Sequence, residues 1–340
     1  MMRAMTTFVH RTLLPKPENV ESLRATLAPM LSPDIQASPR RVFDFLDEPS
    51  QPLAVATREH RRVGDGVVVR MKMTTGYRPY GFEAPAQTDP APLAHPLLCE
   101  HWMHDARPPQ ATVIALHGFA MGWPRFDSIA LFARKWFDAG LDVALPTLPY
   151  HGGRTPADAH FSGDRFAVPN VARLGESVRE AIYEIRMLVR WIREHSGAPV
   201  GILGLSLGGY LSALLAGLSD EPDFVVPMVP PVCFGDLAWR IFSRTPHARA
   251  GDSAAMTSQE LRSAFRFHSP LAHALRTPRE RLLIVAGRGD RIVPPDHPHA
   301  LWEHWNRPAI HWFSGSHLAP FGRGRIVAAI LAHLRTLDIL

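Results

Sequence analysis

The most informative residue of the chain is a serine set among glycines. Ser206 stands in the segment GLSLG at 204–208, after the short apolar run 200–205 and before an Ala- and Leu-rich stretch at 207–218. A sharp turn between a buried strand and a helix leaves no room for side chains beside the serine, and it raises the hydroxyl above the edge of a sheet. A serine held in this way is a candidate nucleophile, which needs a neighbouring base to accept its proton.

Two simpler interpretations of this segment remain open. The glycines could belong to an ordinary turn in which Ser206 only caps the N-terminus of the following helix. The uncharged stretch 199–219 also has the length of a membrane span, but its glycines favour a buried strand that turns into a buried helix. We therefore expect a strand, a sharp turn and a helix here.

In this context the GLSLG segment resembles the nucleophile turn of the α/β-hydrolase superfamily, over about residues 66–340. In that superfamily the acid follows a late strand and the histidine follows the last strand. Asp290 follows the apolar run 282–286, and His317 follows the run 310–313. The resemblance therefore implies a catalytic triad of Ser206, His317 and Asp290.

The choice of acid has alternatives. Asp236 lies beyond the strand predicted at 224–229, where some relatives place the carboxylate. Asp290 could instead be a turn residue that pairs with Arg288 or Arg291 at the surface. We favour Asp290 because it occupies the later position that the chain order of the superfamily requires.

The resemblance also implies an oxyanion hole, in which two backbone N–H groups stabilise the negative charge of a tetrahedral intermediate. Leu207, directly after the serine, would supply one of them. Phe119, after the His-Gly pair that ends the strand predicted at 111–116, would supply the other. The next loop, 149–154, would reach the same edge of the sheet. Both loops loosely resemble those of an uncharacterised bacterial branch of the superfamily.

Alternating strands and helices must position these residues. Short apolar runs predict strands, and apolar residues at a spacing of three to four predict helices. Such alternation implies an α/β fold with a mostly parallel central sheet flanked by helices. The predicted strands are 67–73, 97–103, 111–116, 141–145, 200–205, 224–229, 282–286 and 310–313, and the predicted helices are 20–30, 128–139, 174–192, 207–218 and 300–305.

Two regions lie outside this pattern. Residues 1–65 are rich in proline and are interpreted as an N-terminal extension that clasps the α/β-hydrolase domain, 66–340. Residues 233–281 interrupt the alternation with helices predicted at 236–244 and 257–267, and we interpret them as a cap over the site. The cap contains eight arginines and four acidic residues.

Composition excludes several classes of protein. A chain of 340 residues that is 46% hydrophobic can bury a large core, which excludes bulk disorder. The net charge of +5 comes without basic runs or interleaved aromatic motifs, so no nucleic-acid partner is expected. Two cysteines without CxxC spacing favour a reducing compartment. No export signal or transmembrane segment is expected, so the protein is assigned to the cytoplasm.

Cofactors and metals are not expected. The chain lacks a GxxxxGK[ST] motif and a convincing GxGxxG motif. Two groups of histidines, at 95–104 and 297–304, lack the HExxH and paired CxxC spacings of metal sites, and we interpret them as surface residues.

The sequence thus predicts a serine hydrolase, similar to carboxylesterases and lipases, that cleaves a small-molecule or lipid ester. Aromatic residues of the cap favour a hydrophobic acyl chain, and its arginines are compatible with peripheral contact with anionic lipid. Two alternatives stay open. An acyltransferase would use the same triad, and a non-catalytic binding protein would use the same fold.

Overall fold

The computed structural model of the protein describes residues 20–47, 53–82, 96–167, 171–243 and 257–340. Within these residues nine strands form one sheet. They are β1 (Ala54–Val63), β2 (Gly66–Thr74), β3 (Leu97–His104), β4 (Ala111–Leu116), β5 (Leu141–Thr147), β6 (Val200–Leu205), β7 (Val225–Met228), β8 (Leu283–Gly287) and β9 (Ala309–Phe313).

The strand order is β1-β2-β3-β5-β4-β6-β7-β8-β9. The first three strands and β5 pair antiparallel, and every pair from β5 to β9 is parallel. All residues of β4 and β5 are buried, as expected for continuous apolar strands covered on both faces. This confirms the predicted α/β fold with a mostly parallel sheet.

Helices cover both faces of the sheet. In chain order they are α1 (Val20–Leu27), α2 (Pro33–Ala37), α3 (Pro124–Ala130), α4 (Ala133–Asp138), α5 (Asp164–Ala167), α6 (Val171–Ser196), α7 (Leu207–Leu218), α8 (Phe234–Phe242), α9 (Ser258–Ala264), α10 (Asp296–His304) and α11 (Arg323–Thr336). The long α6 and α7 pack in one core with residues of the chain's first described segment, whereas α4 and α11 pack in the core on the opposite face.

The predicted strands are all present, with bounds that differ by a few residues. The helices differ from expectation in three ways. The helix expected at 128–139 is two short helices, because Phe132 between them has a left-handed φ of 58°. The helix expected at 300–305 begins at Asp296, since Pro298 falls in its first turn, where a missing N–H costs nothing. Helices α2, α5 and α11 were not predicted.

Strand β1 also was not predicted, and it lies within the proposed N-terminal extension. It is an edge strand, exposed over most of its length, with charged residues at 58, 59, 61 and 62. It pairs with β2 and therefore belongs to the sheet. The division at residue 65 stays a prediction, and its segments at 1–19 and 48–52 lie outside the described residues.

Residues 20–47 are fastened to the body of the protein by two arginines of α6. Arg179 Nε donates to the Val42 carbonyl at 2.6 Å, and Arg186 donates to the Phe45 and Leu46 carbonyls at 2.5 and 2.7 Å. Both arginines are buried, and Phe43 between these carbonyls is fully buried. These contacts attach residues 20–47 to α6, and their role as a clasp stays a prediction.

The region interpreted as a cap contains α8 and α9. These helices pack so closely at Gly235 that a Cβ there would lie 2.7 Å from the Leu261 backbone. Residues 244–256 of this region lie outside the described part of the chain. Across the described residues, we find no helix with the length and apolar character needed to cross a membrane.

Candidate active site

Ser206 stands on a strained turn between β6 and α7. Its φ of 55° and ψ of −108° are unfavourable for a residue with a side chain. The flanking glycines make this turn sterically feasible. A Cβ at Gly204 would lie 2.0 Å from the Gly208 carbonyl oxygen, and a Cβ at Gly208 would lie 2.2 Å from the Leu116 oxygen. The geometry of the turn therefore explains the two outer glycines of the GLSLG segment.

The structure distinguishes between the two interpretations of Ser206. Its side chain makes no capping hydrogen bond to α7. Ser206 Oγ lies instead 2.9 Å from His317 Nε2. The hydroxyl is thus directed towards a potential base, as a nucleophile requires.

His317 connects the serine to the predicted acid. Its Nδ1 lies 2.6 Å from Asp290 Oδ2, and both side chains are buried. Asp290 is held by its other oxygen, which accepts from the backbone N–H groups of Ile292 and Val293, each at 2.9 Å. The carboxylate therefore has one oxygen free to orient the imidazole with Nδ1 protonated, which leaves Nε2 to accept a proton.

The loops that carry the acid and the histidine are joined by their glycines. Gly289 N donates to the Gly315 carbonyl at 2.9 Å, and a Cβ at Gly289 would lie 2.7 Å from that oxygen. Gly315 itself has a φ of 121°, in the region that favours glycine. The glycines that precede Asp290 and His317 in the sequence thus allow the two loops to approach each other.

Asp236, the rival acid, has another partner. It accepts a hydrogen bond from Arg262 Nε and joins α8 to α9. The structure brings Ser206, His317 and Asp290 together and leaves Asp236 in the proposed cap.

The two residues predicted for the oxyanion hole lie next to the serine. Leu207 is the first residue of α7 and follows Ser206 directly. Phe119 follows Gly118, where a Cβ would lie 3.6 Å from Ser206 Cβ. The loop after β4 therefore passes beside the serine, although the roles of both N–H groups stay predictions.

His117 holds the loop after β4 in place. Its Nδ1 lies 2.8 Å from the Gly118 carbonyl oxygen and must donate to it, while Nε2 accepts from Leu148 N at 3.1 Å. Burial lowers the pKa of His117 to about 4, so the ring is neutral near pH 7. This neutral imidazole joins the loops after β4 and β5.

Two residues that sequence reasoning missed also fix this loop. Ser162 Oγ donates to the Met121 carbonyl and accepts from Gly152 N at 2.8 Å. The buried carboxyl of Asp127 accepts from Gly122 N at 3.3 Å, and burial raises its pKa to about 7. Neither residue belongs to a recognisable motif, so no signal in the sequence identifies them.

Arg154, in the loop expected to reach the site, is buried and points away from solvent. Its guanidinium donates to both carboxyl oxygens of Glu184 at 2.7 and 2.8 Å, to Glu180 at 3.0 Å and to the Thr147 carbonyl at 3.0 Å. Burial and the neighbouring Glu184 raise the pKa of Glu180 to about 8. Arg154 therefore anchors the loop after β5 to α6.

An apolar cavity of about 340 Å³ opens beside the histidine. It lies between α3, the carboxyl-terminal parts of four strands and the start of α11, and the described residues that line it come from outside 233–281. Its lining includes His317, Phe126, Ile129, Met228, Phe313 and Leu318. The cavity therefore adjoins the candidate base and can accept an apolar group.

The interpretation of the histidine groups as surface residues is wrong for three of them. His101, His104 and His297 are buried, because each lies on an element that faces a core. Burial lowers the pKa of His101 to about 4, and His104 Nδ1 contacts Asp142 at 2.8 Å. In the part of the chain that the structure describes, no three His, Cys, Asp or Glu side chains are grouped to hold a metal ion.

Comparisons with known proteins agree with this fold. The profile of the family described as "Alpha/beta hydrolase domain containing 18" matches residues 98–233. This stretch extends from β3 to the start of the region interpreted as a cap, and it contains the turn with Ser206.

Two curated relatives are uncharacterized proteins of Mycobacterium tuberculosis, from strains CDC 1551 and H37Rv. Each is 32% identical to this chain over 219 residues, which is 63% of this chain and 51% of the relative. The chain thus matches about half the length of these relatives.

Solved structures with a similar fold include two acetyl xylan esterases and Est1E. Acetyl xylan esterase 1 from Thermoanaerobacterium sp. has a TM-score of 0.62 at 14% identity, with 90% of this chain and 94% of that chain covered. The acetyl xylan esterase from Paenibacillus sp. R4 has a TM-score of 0.62 at 13% identity, with 99% of both chains covered. Est1E from Butyrivibrio proteoclasticus, solved with ferulic acid, has a TM-score of 0.53 at 16% identity, with 72% of this chain and 96% of that chain covered.

Identities this low establish a shared fold and leave the reaction open. The sheet order, the serine turn between β6 and α7 and the profile match all agree. The chain therefore has the α/β-hydrolase fold, and its residues 98–233 match the profile of an α/β-hydrolase domain family.

Proposed function

We propose that the protein is a serine hydrolase that cleaves carboxylic esters through an acyl-enzyme intermediate. Ser206 would be the nucleophile, His317 the base and then the acid, and Asp290 the carboxylate that orients the imidazole. The observation that carries the proposal is the unbroken chain of contacts, 2.9 Å from Ser206 Oγ to His317 Nε2 and 2.6 Å from His317 Nδ1 to Asp290 Oδ2.

In the first half of this reaction, Ser206 Oγ bonds to the ester carbonyl carbon while its proton passes to His317 Nε2. The tetrahedral intermediate collapses, the ester C–O bond breaks, and His317 returns the proton to the departing alcohol. Water then attacks the acyl-enzyme as His317 accepts its proton. The second collapse releases the carboxylic acid and restores the Ser206 hydroxyl.

The backbone N–H groups of Leu207 and Phe119 would stabilise the oxyanion in both halves. For Leu207 the support is its position at the N-terminus of α7, because the first N–H groups of a helix have no partners inside the helix. For Phe119 the support is the approach of the loop after β4 to Ser206, together with its fixation by His117 and Ser162. A rigid loop holds its donors in place before the charge develops.

The apolar cavity beside His317 supports a substrate with a hydrophobic group. Apart from His317 and Arg323, its lining residues are apolar, and burying each CH₂ of a substrate there contributes about 0.8 kcal/mol. We assign this cavity to the acyl chain. We therefore expect α3 and the strand ends, rather than the cap, to contact the acyl chain.

The names of the structural relatives agree with this proposal. Two are acetyl xylan esterases, and a third carries bound ferulic acid. We take from them the ester class of reaction only, because the lining of the cavity has to be argued from this chain.

A fluorophosphonate probe tests the proposal. We expect the probe to label Ser206, as located by mass spectrometry of the purified protein. Ser206→Ala should abolish labelling, and His317→Ala should slow it by at least about a hundredfold, since a general base contributes a factor of this order. Ser212→Ala is the matched control, because Ser212 is buried on α7 and bonds to the Gly209 carbonyl.

Labelling of Ser206 that depends on His317 would justify screening esters of increasing acyl length. Folded protein that the probe leaves unlabelled at Ser206 would contradict the proposal and favour a binding protein with this fold. An acyltransferase would label in the same way, so products formed with and without an added alcohol or amine acceptor separate it from a hydrolase.

We also propose a cytoplasmic, reducing location. Cys99 and Cys233 are both free and buried, and burial raises the pKa of the Cys233 thiol to about 11. Thiols kept protonated in this way are structural rather than reactive.

A further inference from the structure

The two segments that form one side of the apolar cavity, 118–132 and 314–326, carry exposed hydrophobic side chains. The described part of the chain has six large apolar residues with exposed side chains, and five of them belong to these segments. They are Trp123 (51% exposed), Phe126 (67%), Ile129 (64%), Leu318 (43%) and Phe321 (70%), which we call the apolar rim.

Three residues of the apolar rim meet at the cavity. Phe126, Ile129 and Leu318 line it together, although they come from two distant segments of the chain. Arg323 Nη2 donates to the Ile129 carbonyl at 3.0 Å and joins the two segments. Trp123 precedes α3 directly, and Phe321 stands two residues before α11, so both are close in sequence to residues that line the cavity. Grouped exposed apolar side chains of this kind mark an interaction site.

The exposed charges within the two segments that carry the apolar rim are of one sign. Segment 118–132 contains Arg125 and Asp127 as its charged residues, and segment 314–326 contains Arg323 and Arg325. The three arginines are exposed, whereas Asp127 is 3% exposed. The rim therefore presents aromatic and aliphatic side chains flanked by cations.

We propose that the apolar rim docks on an anionic lipid surface, with the mouth of the cavity facing the lipid. Aromatic and aliphatic side chains that enter the boundary between headgroups and acyl chains, next to arginines that face anionic headgroups, are the two contributions that hold a protein at such a surface. The proposal goes beyond the esterase activity and does not depend on it.

A second copy of the chain fits this surface less well. A symmetric contact through the rim would bring the arginines of one copy towards those of the other, and like charges across an interface are unfavourable. An anionic lipid surface meets the same arginines with opposite charge. The rim is also separate from the proposed cap, where the sequence analysis expected contact with anionic lipid.

Co-sedimentation with vesicles tests the proposal. Vesicles of phosphatidylcholine mixed with phosphatidylglycerol are compared with vesicles of phosphatidylcholine alone. We expect the full chain to bind the mixed vesicles, and binding should weaken as salt screens the charges. The double variant Trp123→Ser/Phe321→Ser should reduce the partition coefficient at least about tenfold, because two large side chains no longer enter the lipid.

The double variant removes no charge, so its loss of binding cannot come from the general basicity of the protein. Tyr80→Ser is the matched control. Tyr80 is also an exposed aromatic residue, at 40%, but it stacks on Phe82 beside α6, on the opposite face of the sheet, and its loss should leave binding unchanged. Arg125→Gln/Arg325→Gln should remove the preference for mixed vesicles. Circular dichroism and thermal unfolding establish that each variant is folded.

Three results would overturn the proposal. The first is a wild-type protein that binds neither kind of vesicle, and the second is a folded Trp123→Ser/Phe321→Ser variant that binds as the wild type does. The third is a wild-type dimer, seen by light scattering, that this variant converts to a monomer, because the rim would then contact a second copy. Labelling of Ser206 by a fluorophosphonate in solution reports on the esterase proposal independently.

Discussion

A single serine with a positive φ determines how the reacting atoms meet. Ser206 can adopt this conformation because Gly204 and Gly208 have no side chains, and a Cβ at either position would lie only 2.0 or 2.2 Å from a neighbouring carbonyl oxygen. The strained turn directs the hydroxyl to His317 rather than to the helix that Ser206 precedes. Strain of this kind persists only where the surrounding packing holds it.

The acid of the triad offers a test at this scale. Asp290→Asn should lower kcat on a soluble ester by about 10⁴-fold, since an amide no longer stabilises the imidazolium or enforces the tautomer that leaves Nε2 free. The ester rate, measured with the variant shown to be folded, checks this expectation.

Asp236→Asn is the matched control, because Asp236 was the rival acid and pairs with Arg262 near the surface. Its rate should equal that of the wild type. If Asp236→Asn lost activity and Asp290→Asn kept it, the assignment of the acid would be reversed.

Residues of the site differ in how far the sequence could predict them. Ser206, Asp290 and His317 could be proposed because glycines, strand ends and chain order mark their positions. Ser162 and Asp127 could not, because their contacts with the loop after β4 depend on tertiary packing and carry no local pattern.

At the scale of elements, prediction succeeded where burial imposes a pattern. Strands β4 and β6 are continuous apolar runs, and α6 has a clear apolar stripe, so all three were predicted. Strand β1 is an exposed edge strand with charged side chains. Charges suit an edge strand, but they leave no apolar pattern from which the strand could be predicted. The break at Phe132 is likewise a property of packing that no local residue signals.

The attachment of the loop after β5 to α6 could not be predicted either. Arg154 meets Glu180 and Glu184, which are 26 and 30 residues away in sequence, and all three side chains are buried. Removing one member of such a group leaves the others buried without their partner, which costs far more than breaking an exposed ion pair.

Arg154→Met should therefore lower the free energy of unfolding by about 3–5 kcal/mol, because two carboxyl groups lose the cation that they face. Urea denaturation of the variant and the wild type gives this difference. Arg134→Met is the matched control. Arg134 pairs with Asp138 one helical turn away at the surface, and its loss should cost less than about 1 kcal/mol. Equal effects of the two substitutions would contradict the view that the buried group is structural.

Across the whole molecule, buried histidines link folding to acid pH. The five largest effects of burial lower the pKa from the ordinary value of 6.5 to about 4 for His101, His117 and His273, to about 3 for His268, and well below 6.5 for His151. Below pH 6.5 the unfolded chain binds protons at these rings that the folded chain does not. Stability therefore falls as the pH drops from 6.5 towards 4.

Buried carboxyl groups link folding to alkaline pH. Burial raises the pKa of Glu180 from 4.5 to about 8 and that of Asp127 from 3.8 to about 7. Between the unfolded and folded values the folded chain holds protons that the unfolded chain has lost. The stability that these groups contribute is therefore complete below their unfolded pKa values and is lost as the pH rises through 7 and 8.

These opposing effects predict a maximum of stability near neutral pH. Below pH 6.5 the five histidines outweigh the two carboxyls, and above it the histidines are neutral in both states while the carboxyls still titrate. We expect the Tm, measured by circular dichroism, to peak at about pH 6.5–7 and to fall on both sides. Glu180→Gln keeps a neutral side chain at every pH, so its Tm should fall less than that of the wild type between about pH 7 and 9. If the Tm of the variant and that of the wild type fell equally over this pH range, Glu180 would already be ionised at neutral pH. The buried group around Arg154 would then carry a net negative charge.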